Sequence, residues 1–125
     1  MMIKISFDFD DTLAVYETTG TYNTTLCCKP LYVDLVKEYH ALGCNCIILT
    51  ARFKNQFNEM EIKEFIQRCN LPITEVVYTG HLAKGIFAHE HDVKMHYDDD
   101  PFHLESIKAY DIIAVDSINH KIFKG

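Results

Sequence analysis

Six aspartates fall in two short runs, "FDFDDT" (Asp8, Asp10, Asp11) and "HYDDDP" (Asp98, Asp99, Asp100), and each run follows an apolar stretch. Charges of one sign repel, and each loses hydration beside apolar neighbours, so a chain that gathers them needs something positive among them. Carboxylate oxygens from two segments, with few competing nitrogens or thiolates, suit a hard cation, and Mg2+ keeps several waters in such sites. Thr50 and Arg52 in "LTAR" and Lys84 in "TGHLAKG" add a hydroxyl and two cations. A metal with an ammonium and a hydroxyl makes a receptor for a phosphoryl group, because the cations offset charge on its oxygens and the hydroxyl orients them. A carboxylate within reach of the phosphorus could then attack it, and a second acid could protonate the leaving oxygen.

Apolar runs and helical patterns alternate around these residues. The strand candidates are "IKISF" (3–7), "CIIL" (46–49), "EVVYT" (75–79), "VKMHY" (93–97) and "IIAV" (112–115). One helix opens at Pro30, carries Leu31, Leu35, Tyr39 and Leu42 along one face and stops at Gly43. A second repeats Ile62, Phe65, Ile66 and Cys69 at helical spacing, with Asn58 and Glu61 as a capping box and Pro72 as its end. Shorter helices are expected over 83–89 and 101–108. This alternation predicts an α/β Rossmann-like three-layer α/β/α sandwich with a mostly parallel five-stranded sheet and no large cap domain. No linker or repeat divides the chain, so one domain over 1–125 is expected. The stretch "YETTGTYNTTLCC" (16–28) fits neither pattern and reads as a β-hairpin or flap, about 14–28.

In open α/β sheets, ligands sit beyond the carboxyl ends of the strands. That rule brings together Asp8 and Asp10 after the first strand, Thr50 and Arg52 after the second, Lys84 after the third and Asp98–Asp100 after the fourth. Lys94 competes with Lys84 but falls inside the fourth strand, where its side chain would stand on a sheet face. Asp11 reads as a turn residue. Arg52 is either a third phosphate-binding group or a surface cation beside the site. His89 and His91 are too poorly spaced to share a metal; His96, His103 and His120 receive no role. Tyr16, Tyr22 and Phe53 could line a base or sugar pocket, with core or flap packing as the plainer use.

The 125 residues suit one compact core, and the formal charge of −6 argues against broad attraction to nucleic acid or anionic lipid. It leaves room for an anionic substrate at one neutralised site. The start "MMIKIS" lacks signal-peptide architecture and no apolar run reaches membrane-span length, so a cytoplasmic protein with no membrane partner is the expectation. Five cysteines without CxxC spacing read as reduced structural thiols.

"DFDDTLA" resembles the first motif, DxDx(T/V), of the haloacid dehalogenase (HAD) superfamily of phosphohydrolases. "CIILTAR" resembles the second, an apolar strand ending in Ser or Thr; Lys84 is placed like the third; "MHYDDDPFHLE" is similar to the fourth, an apolar strand followed by an acidic pair. All four occur in family order over residues 3–105. The resemblance implies Asp8 as nucleophile and Asp10 as general acid/base, with Mg2+ held by Asp8, the backbone carbonyl of Asp10, Asp99 directly and Asp98 in support. Thr50 and Lys84, and Arg52 if it reaches substrate, would bind the phosphoryl oxygens. It implies a Mg2+-dependent phosphomonoester hydrolase working through an aspartyl-phosphate. About forty residues separate Asp8 from Thr50, enough for a flap but not a cap domain, so the chain is similar to capless members.

Capless members often act on large substrates, and the "LTAR" and "DDDP" forms are similar to those of deoxyribonucleotidase-like and polynucleotide 3′-phosphatase-like enzymes. The implied partner is a phosphorylated small molecule or nucleic-acid end, and a dimer is compatible with closure by a second subunit. The competing reading from another class is a noncatalytic regulatory module that keeps the site to hold metal or phosphate. Carbon–halogen cleavage fits poorly, because dehalogenases of the family dispense with the metal-binding aspartates.

Overall fold

The computed structural model describes residues 2–19 and 23–125. Along the chain these form β1 (Lys4–Phe7), β2 (Ala14–Thr19), β3 (Asn23–Cys28), α1 (Pro30–Ala41), β4 (Asn45–Thr50), α2 (Gln56–Arg68), β5 (Ile73–Tyr78), α3 (Gly85–Glu90), β6 (Val93–Asp98), α4 (Pro101–Lys108), β7 (Ile113–Asp116) and β8 (Lys121–Ile122). One sheet runs in the order β5-β4-β1-β6-β7-β8. Its first five strands are mutually parallel, and only β8 is antiparallel, pairing Val115 with Ile122 and Asp116 with Lys121. The sequence predicts five strands; the sixth is two residues long, too short for any alternation to mark it.

The sheet is covered on both faces, which is why its central strands read as unbroken apolar runs. Cys46, Ile47, Ile48 and Leu49 of β4 are all buried. On one face Tyr32, Val33 and Val36 of α1 and Ile62 and Phe65 of α2 pack with Ile5, Phe7 and Ile48. On the other, Ala88 of α3 and Leu104 and Ile107 of α4 pack with Ile47, Leu49 and Ala114. The result is the three-layer α/β sandwich expected from the alternation.

Two local expectations are corrected. α1 turns only part of the expected stripe inward: Leu35 and Tyr39 pack partly buried against the core, Leu31 and Leu42 are 59% and 79% exposed, and Tyr32, Val33 and Val36 are the buried residues. Tyr32 gains a use for its hydroxyl there, which donates to the Ser117 carbonyl oxygen at 3.0 Å. Helix α2 starts earlier than the capping box suggests. Asn55 is its N-cap, accepting from the Asn58 N–H at 2.8 Å, and Asn58 lies in the first turn.

β2 and β3 form an antiparallel hairpin, registered from Ala14 with Cys28 to Thr19 with Asn23. Tyr22 lies outside the described residues. The hairpin is tied to α2 at two points: the Tyr16 hydroxyl donates to Glu61 at 2.6 Å, and Arg68 donates to the Leu26 carbonyl at 2.6 Å. The five cysteines are free thiols. No helix among the described residues is long and apolar enough to cross a membrane.

The chain leaves β1 toward β4 on one side and returns through β6 on the other. Strand order therefore switches at β1, and the crevice beyond its carboxyl end lies where such sheets hold ligands.

Candidate active site

Asp8 follows β1 directly. Its N–H still donates to the Tyr97 carbonyl at 2.8 Å, so the backbone is held by β6 up to the residue that carries the carboxylate. Beyond it the chain curls: the Leu13 and Ala14 N–H groups both donate to the Phe9 carbonyl at 3.0 Å. Phe9 and Leu13 bury their side chains beneath the turn. Asp11 takes a left-handed conformation, φ 63°, which aspartate tolerates better than most residues.

Lys84 sits at the N-cap position of α3 and its side chain is fully buried. Its ammonium donates to Asp8 Oδ1 at 2.7 Å and to Asp98 Oδ2 at 2.6 Å. Gly85 permits this: a Cβ there would come within 2.2 Å of the Ser106 carbonyl oxygen, so α3 approaches α4 only without a side chain. Lys94 is exposed.

The three aspartates after β6 divide by environment. Asp98 is buried; its Oδ2 also receives His96 Nε2 at 2.7 Å, and its Oδ1 accepts the Asp100 N–H at 3.0 Å. Asp99 is half-buried. Asp100 is exposed and caps α4, accepting the Phe102 N–H at 2.9 Å. Asp8, Asp98 and Asp99 each present an oxygen within 4.8 Å of the others. The carboxylate of Asp10 stands outside this group.

Asp10 is instead held by Arg52, whose Nε donates to Oδ2 at 2.9 Å and Nη2 to Oδ1 at 2.7 Å. Arg52 Nη2 also donates to the Tyr16 hydroxyl at 3.1 Å, and Nη1 to Asn58 Oδ1 at 3.2 Å and to Glu61. The guanidinium lies 5.1 Å from the centre of the Phe9 ring. All five N–H donors of the group thus have protein acceptors. This differs from the expectation of a phosphate contact: Arg52 is neither free for an anion nor a loose surface cation, because Glu61 and Asn58 arrive on α2 and Tyr16 on the hairpin.

Thr50 ends β4, fully buried, and its Oγ1 accepts the Arg52 N–H at 3.3 Å. Two further hydroxyls, of Thr12 and Ser117, lie in line behind Asp8. Thr12 Oγ1 donates to Asp8 Oδ2 at 3.4 Å and lies 3.0 Å from Ser117 Oγ. His96 is likewise added by the structure. The available signal was spacing: two residues apart on one strand, His96 and Asp98 share a face, as Ser6 and Asp8 do.

The site is short of positive charge. Burial pushes Asp8 well above the usual carboxylate range, and the Lys84 charge opposing this is partly offset by Asp98. Asp99 is also raised, chiefly by burial. For Asp98 burial acts the same way, but the hydrogen bond from His96 and the charge of Lys84 prevail and hold it well below its ordinary value. Lys84 remains above its ordinary value, because two carboxylates outweigh its own burial. Burial lowers His96 despite its bond to Asp98. Three clustered oxygen donors facing one ammonium fit a hard divalent cation by number, type and charge.

No protein-family model matches the chain, and no curated protein does. Solved structures do share its fold. A hypothetical protein from Xanthomonas campestris superposes with a TM-score of 0.60 at 18% identity, over 92% of this chain and 63% of its own. A Vibrio cholerae protein provisionally described as a 3-deoxy-D-manno-octulosonate 8-phosphate phosphatase gives 0.56 at 10% identity, over 86% of this chain and 61% of its own. The chain thus spans about three fifths of the length of each. At these identities the likeness is one of fold.

Proposed function

We propose that this chain is a Mg2+-dependent phosphomonoester hydrolase of the haloacid dehalogenase type, acting through a phosphorylated Asp8. The observation that carries the reading is the buried Lys84 ammonium bridging Asp8 and Asp98, with Asp99 close enough for the three carboxylates to share an ion. A structural salt bridge needs one carboxylate, whereas a site for a cation and a phosphoryl group needs several. The fold shared with the Vibrio cholerae protein supports a phosphatase, and the four motifs in order support the family.

The residues divide the work as follows. An Asp8 oxygen attacks phosphorus, and the ester P–O bond breaks as the new O–P bond forms. Asp10 delivers a proton to the departing oxygen, then takes one from the water that displaces Asp8 and releases inorganic phosphate. Each Asp10 oxygen accepts one N–H from Arg52 and keeps a second lone pair, so the carboxyl is held in place while that proton is exchanged. Thr50 and the remaining N–H of Lys84 steady the phosphoryl oxygens; two of the three Lys84 donors are already given to Asp8 and Asp98. Bound at Asp8, Asp98, Asp99 and the Asp10 carbonyl, Mg2+ would supply the charge that keeps Asp8 ionised and offsets the phosphoryl oxygens.

Among the described residues no cap domain stands over the site, which favours a phosphate ester on a nucleotide or a nucleic-acid end. The test is hydrolysis of an aryl phosphate with Mg2+, followed by a panel of deoxynucleoside monophosphates, 3′-phosphorylated DNA, sugar phosphates and phosphopeptides. Asp8→Asn should abolish turnover while keeping the fold. Mg2+-dependent activity persisting in that variant would remove Asp8 as nucleophile. Complete inactivity of the wild type with Mg2+ still bound would favour a noncatalytic module.

A further inference from the structure

His96 takes no part in the reaction outlined above, yet its ring is wholly buried and each nitrogen faces a side chain. Nδ1 lies 2.6 Å from Ser6 Oγ and Nε2 2.7 Å from Asp98 Oδ2. Asp98 Oδ2 also accepts from Lys84, so it is a carboxylate oxygen with no proton to offer. Nε2 must therefore donate. In a neutral ring Nδ1 then accepts, and the Ser6 hydroxyl supplies that proton. Only this arrangement satisfies all three groups without burying an unpaired donor or acceptor.

The bonds lie in the structural frame of the site. Ser6 and His96 are register partners on β1 and β6. Asp8 and Asp98 follow two residues later on the same chain segments and the same faces. The Ser6–His96–Asp98–Lys84–Asp8 chain of polar contacts thus links the two segments that would share the ion. It also makes the two Asp98 oxygens unequal: Oδ2 takes both His96 and Lys84, whereas Oδ1 takes one backbone N–H, from Asp100.

We propose that His96, donating from Nε2, is the positioning residue that fixes Asp98, turning Oδ2 to Lys84 and leaving Oδ1 the oxygen with capacity for the cation. This rests on the reading of the aspartate cluster as a Mg2+ site. A ligand fixed from behind by a hydrogen bond loses less freedom on binding metal; removing such a partner weakens binding by about 10- to 100-fold. His96 acts through Asp98 and needs no contact with substrate.

The test has two arms, and neither uses turnover. Long-range 1H–15N spectra of the metal-free wild type should show a proton on Nε2. A ring whose only proton is on Nδ1 overturns the proposal. Mg2+ affinity is then measured by calorimetry for the wild type, His96→Gln and His96→Leu. Gln retains an N–H near the Nε2 position and should bind within about threefold of wild type, while Leu should lose about 10- to 100-fold. Wild-type affinity in His96→Leu overturns the proposal, as does equal weakening in both folded variants. If His96→Leu does not fold, the wild-type spectrum and the Gln variant still decide. A wild type that binds no Mg2+ overturns both the functional reading and the metal-facing part of this one, whereas a wrong tautomer with Mg2+ bound overturns this one alone.

Discussion

Arg52 grips Asp10 by both carboxylate oxygens, Nε to Oδ2 at 2.9 Å and Nη2 to Oδ1 at 2.7 Å. Its other donors go to Asn58, Glu61 and Tyr16, so the pair is itself fixed by α2 and by the hairpin. On the proposed reading, a guanidinium committed in this way aims the acid rather than binding the phosphoryl group. Arg52→Ala is therefore expected to lower kcat by about 100-fold, the scale of a lost proton transfer, with KM within about threefold of wild type. Steady-state kinetics on an aryl phosphate separates the alternatives, because a raised KM at unchanged kcat marks a lost substrate contact.

Lys84 is the ammonium on which Asp8 and Asp98 both rely. Lys84→Met keeps the volume and removes the charge, leaving two buried carboxylates without their cation. Breaking a buried pair in this way costs about 3–5 kcal/mol, to be read from urea unfolding without metal. Adding Asp8→Asn removes one orphaned carboxylate, so the double variant should be more stable than Lys84→Met alone. Simple additivity of the two changes would mean that the contacts are not energetically coupled.

The parallel sheet and the clustering of acidic residues at its carboxyl end are legible in the sequence for one physical reason. Runs such as Cys46–Leu49 cannot sit at a surface, and aspartates placed directly after them cannot sit unaccompanied near a core. What escapes the sequence depends on partners distant along the chain. His96 looks like any polar residue of a strand until Ser6, ninety residues away, is found against its ring. Arg52 looks available to an anion until Glu61 and Tyr16 are found around it. On α1, Leu31 and Leu42 mark a stripe as strongly as Tyr32 and Val36 do, and the sequence does not show that Tyr32 has a hydroxyl partner at Ser117 in the core.

Gly85 is expected to tolerate no side chain. A Cβ would lie 2.2 Å from the Ser106 carbonyl oxygen and 2.8 Å from its carbon, so backbone rather than a movable side chain must yield. Gly85→Ala should cost about 1–3 kcal/mol as overpacking and should displace Lys84, its neighbour in sequence. Trimming the neighbour with Ser106→Ala should not restore the melting temperature, since the obstructing oxygen remains. Rescue by that second change would locate the clash at the Ser106 hydroxyl instead.

The raised Asp8 carboxyl carries a pH signature. Its folded value lies above its unfolded one, so the folded protein binds this proton more tightly. The stability it contributes is complete below the ordinary carboxylate range and is lost as pH rises through the folded value. Asp98 has the opposite sign, contributing above its ordinary range and failing only in strong acid; His96, lowered by burial, also contributes on the alkaline side. Both remain in Asp8→Asn, so the informative quantity is the melting temperature of wild type minus that of Asp8→Asn, measured in chelator. That difference should fall as pH is raised from about 5 to about 8. Mg2+ reverses the trend, because a cation displaces the Asp8 proton and its stabilisation of the wild type must grow with pH. A difference that rises with pH in chelator would mean that Lys84 alone satisfies Asp8, and that the crevice has no charge deficit for an ion to fill.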